Sequence, residues 1–587
     1  MVTNKYITRI ASVIMAAAVI LCLMASLFSD KLQEVYGNNA VTMKYESKLF
    51  STDQIMDIDI LMDEDDWNDM LENAISEEYY SCDVVVNGKT FYSVGIRPKG
   101  NTSLSSIVND PDTDRYSFKL EFDHYIEGQT CYGLDKLILN NNYADATNMK
   151  EAIVYDMYQY LGVDASLYNY AKISVNGDYR GVYLALEAVE DSFMLRNYGT
   201  EDGNLYKPEN MGVGGGMDGK DGDGWQMGEK PDGEDFPQKG EMPDGADFPQ
   251  KGEMPDGEDF PQKGEMPDGE DFPQMGEAPN GEAADIKMGI MGGNGGADLN
   301  YTDDDLDSYS TIWDGEITDS DKKDHKRVVE ALKNISEGTD LETYMDVDNI
   351  LKYMAVHTFV VNDDSLSGTM AHNYYLYEYN GKLNILPWDY NLSFGGMSMG
   401  GGMGGQSSGA TSVINDAIDT PFSITSFFDA LLENEEYLEQ YHEYLNELVE
   451  KYVNGGEFEK TYERIRSQID DLVGNDPTAF YSYEEYEEAA NMLIEVVQLR
   501  AKSVSGQLAG TIPSTDEGQQ QDSSNLIDGS DIDLSVMGSF SGGGGGNEGQ
   551  GKDNGFAGTP QPFDAGDVSP ISEEKADLQD SNQDSVK

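Results

Sequence analysis

The sequence predicts an α+β fold carried in two stretches on either side of a long low-complexity insertion. Three observations lead there. Runs of β-branched and aromatic residues flank Asn-Gly pairs at Asn87-Gly88, Asn176-Gly177 and Asn380-Gly381, the pattern of tight hairpins. Helical spacing of apolar residues marks Asn148 to Leu161 and dominates from Pro421 to about Leu508. From about 209 to 300 both patterns give way to Gly, Pro, Asp and Met.

Each segment has its own justification. Ile10 to Phe28 is an unbroken run of apolar and small residues behind Lys5 and Arg9. Over residues 1–29 this reads as a membrane anchor or a cleaved signal peptide, and both put the body of the chain outside the cytoplasmic membrane. Residues 30–50 read as a linker. In that compartment Cys82 and Cys131 are free to pair; the alternative is two buried thiols.

The first globular stretch runs from 51 to 207. Val84 to Phe91 is a hairpin, and Gly95 to Ser103 a polar, glycine-containing loop. Tyr116 to Phe122 alternates as a strand, with Tyr116, Phe118, Leu120 and Phe122 on one face and Lys119 and Glu121 on the other. Asn148 is an expected N-cap and Gly162 a stop for the helix between them. A second hairpin joins Ala171–Val175 to Gly181–Glu187.

Residues 208–300 hold a 12-residue unit built on Pro-Asp-Gly-x-Asp-Phe-Pro-Gln, repeated four times from Lys230, Glu241, Glu253 and Glu265. One Phe per copy cannot offset the entropy of ordering it, so the insertion is expected to be disordered. Structure resumes over 301–510. Helices are expected at Asp321–Glu337 and Asp340–His357. A polar loop to Gly368 comes next, then a hairpin from Asn373 that ends in Pro387-Trp388-Asp389. The Gly/Met/Ser tract from about 395 to 409 reads as a flexible loop, and 511–587 as a disordered tail.

Lys plus Arg is 38 and Asp plus Glu is 110, a formal net charge of -72. That balance excludes nucleic acid and anionic membrane surfaces as partners and favours metal ions and basic polypeptides. Three cysteines are too few for a disulfide scaffold or a Cys-rich zinc site. His-Glu-x-x-His does not occur, and Gly-x-Ser-x-Gly occurs only inside the Gly/Met/Ser tract, at Gly396–Gly400 and Gly405–Gly409. Gly88-Lys89-Thr90 has Asp83 where a phosphate loop needs its first glycine, so it is a hairpin turn. His372 stands alone among the histidines in a polar cluster and reads as structural. What remains is a set of carboxylates and an amide on loops between strands: Asp363, Asp364, Asn373 and Asp389. Such oxygen donors suit a hard cation such as Mg²⁺. With a lysine on an upstream strand and a glutamate on an upstream helix, they form the parts list of phosphoryl transfer.

An ordered set of short stretches then resembles the CotH family, the spore-coat protein H group of atypical protein kinases. The stretches are Ile96-Arg-Pro-Lys-Gly-Asn-Thr-Ser103, the Tyr116–Phe122 strand, Lys150-Glu-Ala152 with its helix, and Val175 to Leu184 with Glu187. Gly203-Asn-Leu-Tyr-Lys207, His372-Asn-Tyr-Tyr-Leu-Tyr377 and Pro387-Trp-Asp389 complete the set. The resemblance implies a two-lobed, protein-kinase-like fold that uses ATP and Mg²⁺ or Mn²⁺. It implies Asp364 as catalytic base, with Asp363 as the alternative because the doubled Asp leaves the register open. Asp389 would be the metal-binding Asp of the DFG-type element and Asn373 the second metal ligand. The spacing of Asn373 from Asp364 departs from His-Arg-Asp-x-x-x-x-Asn. Lys119 would be the strand lysine and Glu151 the helix glutamate paired with it. Glu187 would lie at the hinge that receives adenine. Arg97, Lys99 and Asn101 would line the phosphate loop in place of an absent Gly-x-Gly-x-x-Gly.

The expected function is transfer of the ATP γ-phosphate to Ser or Thr of spore-coat or cell-surface proteins, with basic, Ser/Lys-rich substrates. The enzyme would be secreted, or held to the membrane by an uncleaved N-terminal segment. The rival expectation is a catalytically inactive coat or surface scaffold that uses a kinase-like domain for interaction.

Overall fold

A computed structural model describes residues 40–208, 295–368, 370–398, 409–422 and 424–541. The N-terminal apolar run, residues 30–39, the 12-residue repeats, most of the Gly/Met tract and the end of the tail lie outside the described residues. The rest of the expected linker is not linker: Lys44–Lys48 is a short helix, and Tyr45, Leu49 and Phe50 are buried in the core of the first globular stretch. Among the described residues no helix is long and apolar enough to cross a membrane.

Alternation in Met56-Asp-Ile-Asp-Ile-Leu61 buries Met56, Ile58 and Ile60 and makes this segment β1 (Met56–Leu61). It is followed by β2 (Tyr80–Val86), β3 (Lys89–Lys99), β4 (Ser117–Glu121), β5 (Lys136–Asn140), β6 (Tyr168–Val175) and β7 (Asp178–Glu187). These strands close a barrel in the order β1-β2-β3-β4-β5-β7-β6, and the closing β1–β6 pair is parallel. Asn87 and Gly88 (φ 49° and 77°) and Asn176 and Gly177 (φ 53° and 89°) take the left-handed conformations that a two-residue hairpin turn of matching twist requires.

The pleat of the barrel separates two hydrophobic cores. Ile58, Ile96, Phe118, Leu120, Leu139, Ile173, Tyr183 and Ala185 point into the barrel. Their neighbours Ile138, Tyr170, Val182, Leu184 and Leu186 belong to a second core outside it. This is why β7 is apolar at successive positions rather than alternating. The second core is completed by helices: α1 (Lys150–Leu161), α2 (Asp191–Tyr198), α3 (Lys322–Ser336), α4 (Val347–Val360), α5 (Glu435–Glu447), α6 (Glu457–Val473) and α7 (Tyr483–Leu508). A small antiparallel sheet lies with them, formed by β8 (Asn204–Tyr206), β9 (Tyr374–Tyr379) and β10 (Lys382–Pro387) in the order β10-β9-β8.

The structure departs from the sequence expectations elsewhere too, beginning with the N-cap of α1, which is Met149 and not Asn148. Gly95 to Lys99 is not loop but the end of β3, paired with β4 from Gly95↔Glu121 to Lys99↔Ser117. Only Gly100 and Asn101 are loop, ahead of a short helix at Thr102–Val108, so Arg97 and Lys99 belong to an outward strand face. The helix expected over Asp340–His357 breaks at Met345-Asp346, where Asp346 N donates to Leu383 O (2.9 Å) and the Asp346 side chain caps α4. Cys82 and Cys131 are unpaired and buried, and burial pushes both thiols up to about 12. Finally, residues 511–541 are packed against the body. Gln519 Nε2 donates to Asn415 O (2.7 Å). Ala146 N donates to Met537 O (3.1 Å), and Phe540 N to Gly396 O (2.9 Å). Buried Ile512 and Met537 anchor a segment whose average composition is polar.

Candidate active site

A cleft of about 1340 Å³, counting the space open to solvent, lies where the outer face of β3–β5 meets the turns around β9 and β10. Lys99, Asn101, Asn140, Glu151, Lys207, Asp364, His372, Asn373, Trp388 and Asp389 line it, as do Met397 and Phe540 from the two ends of the packed tail contact.

Local folding places each group. α4 ends at Val361, in left-handed conformation (φ 48°), and the chain turns sharply into the Asp363-Asp364 loop. There the Asp364 carboxylate accepts from His372 Nε2 (2.7 Å) and from Asn373 Nδ2 (3.1 Å). Asn373 Nδ2 also donates to Asp364 O (2.8 Å), and Asn373 is itself left-handed (φ 58°). The loop thus folds back on the start of β9 and fixes the Asp364 side chain from two sides. Asp389 follows β10 by two residues and is left-handed as well (φ 59°). Tyr390 behind it is locked in the core by Tyr158 Oη (2.5 Å) and His357 Nδ1 (3.0 Å).

The barrel side contributes the rest. Glu151 sits in the first turn of α1, fully inside the protein, and its Oε2 accepts from Asn140 Nδ2 (2.9 Å). Its Oε1 is buried with no hydrogen-bond partner. Lys99, the last residue of β3, reaches Asn140 Oδ1 (3.4 Å) and lies over the Trp388 ring (5.4 Å).

The electrostatics are those of crowded carboxylates. Burial raises Glu151 to about 8, with the charge of Asp389 adding to it and Asn140 and Lys99 opposing. Burial also raises Asp389; Lys99 opposes the rise, Asp364 adds to it, and Lys207 and His372 oppose it. Glu151, buried, and Asp389, half-buried, are thus both held above the ordinary carboxylate range beside Lys99 and Lys207.

The structure brings Asp364, Asn373, Asp389, Glu151 and Asn101 into one cleft and leaves Lys119, Arg97, Glu187 and Asp363 out of its lining. Lys119 bonds Glu190 (2.8 Å) rather than Glu151. Arg97 pairs with Glu77 and lies over the Tyr79 ring (5.4 Å). Glu187 is wholly buried, gripped by Arg196 Nη2 (2.6 Å), Tyr45 Oη (2.5 Å) and Leu167 N (3.1 Å). Asp363 is exposed on the loop. The lysine beside Glu151 is therefore Lys99, and His372, read as structural from the sequence, holds Asp364. Expected in the phosphate loop, Lys99 reaches the cleft from the end of β3 instead. Lys207 had no signal beyond its motif.

A family model described as CotH kinase protein matches residues 96–261 and 265–504, well over half of the chain. The chain belongs to the CotH kinase family. The match spans the end of β3 that carries Lys99, the Asp364 loop and Asp389, so the cleft falls within the matched region. No curated protein matches the chain.

Proposed function

We propose that this CotH-family cleft binds ATP with Mg²⁺ or Mn²⁺ and transfers the γ-phosphoryl group to Ser or Thr hydroxyls of basic proteins. The barrel with α1 would act as one lobe of a kinase-like pair, and the helices with β8–β10 as the other. The observation that carries the reading is the convergence of Lys99, Glu151, Asp364, Asn373 and Asp389, from distant stretches of chain, on one cleft.

The residues fit a divalent cation. Among the described residues no group of three or more His, Cys, Asp or Glu side chains forms a metal cage. Mg²⁺ is commonly held by one or two carboxylates together with substrate phosphates. Asp389 and Asn373 would hold it, and the unpartnered Glu151 Oε1 leaves acceptor capacity beside them. The cation would neutralise charge on the phosphate oxygens. Asp364 would accept the proton of the acceptor hydroxyl as its oxygen attacks the γ-phosphorus. The bond from that phosphorus to the β–γ bridging oxygen breaks, and ADP leaves with the electron pair. His372 and Asn373 keep the Asp364 carboxylate aimed during the transfer. Lys99 would bind phosphate oxygens.

The net charge of -72 supports basic, Ser/Lys-rich acceptors, attracted over long range. The apolar N-terminal run and the family support a place outside the cytoplasmic membrane or on a spore coat.

Two measurements test the reading. Asp364→Asn is expected to lower kcat by roughly 10²–10⁴-fold, the range for a general base, with KM for ATP nearly unchanged. Wild-type turnover in that variant would remove Asp364 from the reaction. Lys99→Ala is expected to weaken ATP binding by roughly 10–100-fold, the worth of a hydrogen bond to a charged group, while Lys119→Ala leaves it within about threefold. Calorimetric titration with Mg²⁺ reads both, and the opposite ranking would restore Lys119 as the phosphate lysine. Absence of any metal-dependent ATP binding in the wild-type chain would leave the scaffold function standing.

A further inference from the structure

We infer that Lys207 is a catalytic residue of this cleft, its ammonium contacting the γ-phosphoryl group of ATP. The inference rests on the phosphotransfer reading above. Lys207 follows β8 directly and lines the cleft with Asp364, Asn373 and Asp389, on the side of the second core rather than the barrel.

Its backbone is clamped independently of its side chain. Lys207 N donates to Gly315 O (2.7 Å), and Gly315 lies so close that a Cβ there would sit 2.2 Å from Lys207 O. The side chain runs over the Tyr375 ring (5.9 Å to its centre). Tyr375 meets Trp388 edge-on (5.4 Å, 90°), and Lys99 lies over Trp388 (5.4 Å). Two lysines from different parts of the fold are thus ordered by one aromatic ledge in the same cleft as Asp389.

The chemistry asks for both. Asp364 and Asp389 line the cleft, so a triphosphate there needs cationic neighbours. Lys99, tied to Asn140 and near Glu151, stands on the barrel side, suited to phosphates that stay with ADP. Lys207 stands on the side of Asp364, where the acceptor hydroxyl would be activated. An ammonium there meets oxygens whose charge changes as the γ-phosphoryl group parts from ADP. Preorganised charge of that kind acts more strongly on the transition state than on the ground state.

The test compares Lys207→Met, Lys207→Arg and wild type for ATP and ADP affinity with Mg²⁺, for kcat, and for thermal melting. Lys207→Met is expected to lower kcat by roughly 10²–10³-fold, as for loss of one preorganised charge-stabilising group. It is also expected to bring ATP affinity down toward that of ADP while ADP affinity and melting stay put. Lys207→Arg is expected to recover much of the ATP preference. Equal loss of ATP and ADP affinity with a lowered melting temperature would show a structural lysine and overturn the inference. So would unchanged kcat and an unchanged ATP-to-ADP ratio. A wild-type chain that binds neither nucleotide would remove the phosphotransfer reading first and this assignment with it.

Discussion

Asp389→Ala is expected to abolish phosphoryl transfer, with a fall of about 10³-fold or more, because the carboxylate proposed to hold the metal ion is gone and the several kcal/mol of charge stabilisation such an ion would supply goes with it. The assay is transfer of labelled γ-phosphate to a basic, Ser/Lys-rich acceptor with Mg²⁺ or Mn²⁺. The same variant is expected to lose metal-dependent ATP binding. It should not unfold. Asp389 is half-buried and its acid form is favoured by desolvation, so at neutral pH this carboxylate opposes folding. A folded pKa above the unfolded one means that this penalty is present above the folded pKa and fades as pH falls below it. Asp389→Asn, which keeps the shape and tolerates the left-handed backbone, is therefore expected to melt no lower than wild type while remaining inactive. Stability spent on an active-site charge is a common signature of function. Full activity in either variant would remove Asp389 from the reaction.

Local rules carried much of the fold. The Asn-Gly turns at Asn87, Asn176 and Asn380 all formed, because a two-residue turn with both residues left-handed needs little beyond those side chains. The strand around Phe118 and the helix stopped by Gly162 formed for equally local reasons. Asp364, Asn373 and Asp389 were legible because polar residues that end apolar runs mark loops beside a core. The rest depended on register between strands. Lys99, Arg97 and Lys119 share the outward face of the barrel, and alternation specifies that face without saying which position along it meets the cleft. The pairing Arg97↔Lys119 and Lys99↔Ser117 decides it, and puts Lys119 next to Glu190 instead of Glu151. Glu187 was misplaced for a related reason. A carboxylate at a strand end looks available until Arg196 and Tyr45, the latter 142 residues away, enclose it. Closure of the barrel by the parallel β1–β6 pair is a long-range event that no local pattern announces.

Arg115→Met is expected to cost about 3–5 kcal/mol of stability, the range for breaking a buried ion pair from one side. Arg115 comes just before β4 and is 1% exposed. Its Nε donates to Asn141 O (3.0 Å) and its Nη2 to Val182 O (2.6 Å). Its Nη1 donates to Asp476 Oδ2 (2.8 Å) and Thr478 Oγ1 (2.7 Å), in the connection between α6 and α7. Asp476 in turn accepts from Val182 N (3.0 Å). One guanidinium therefore bolts the barrel to the helices, and Gly181 makes room for it. A Cβ at Gly181 (φ 154°) would lie 2.4 Å from Arg115 Nη1 and 2.7 Å from Asp476 Oδ2. Removing the arginine strands Asp476 in the interior and frees the carbonyl of Asn141, which lines the cleft. Urea unfolding reads the stability loss, and Gly181→Ala is expected to reproduce much of it by pushing the same pair apart. Arg115→Met should also reduce ATP binding, since Asn140 next to Asn141 positions both Lys99 and Glu151. A loss below about 1 kcal/mol, the worth of an exposed pair, would mean that the barrel and the helices are joined by their apolar packing and not by this arginine.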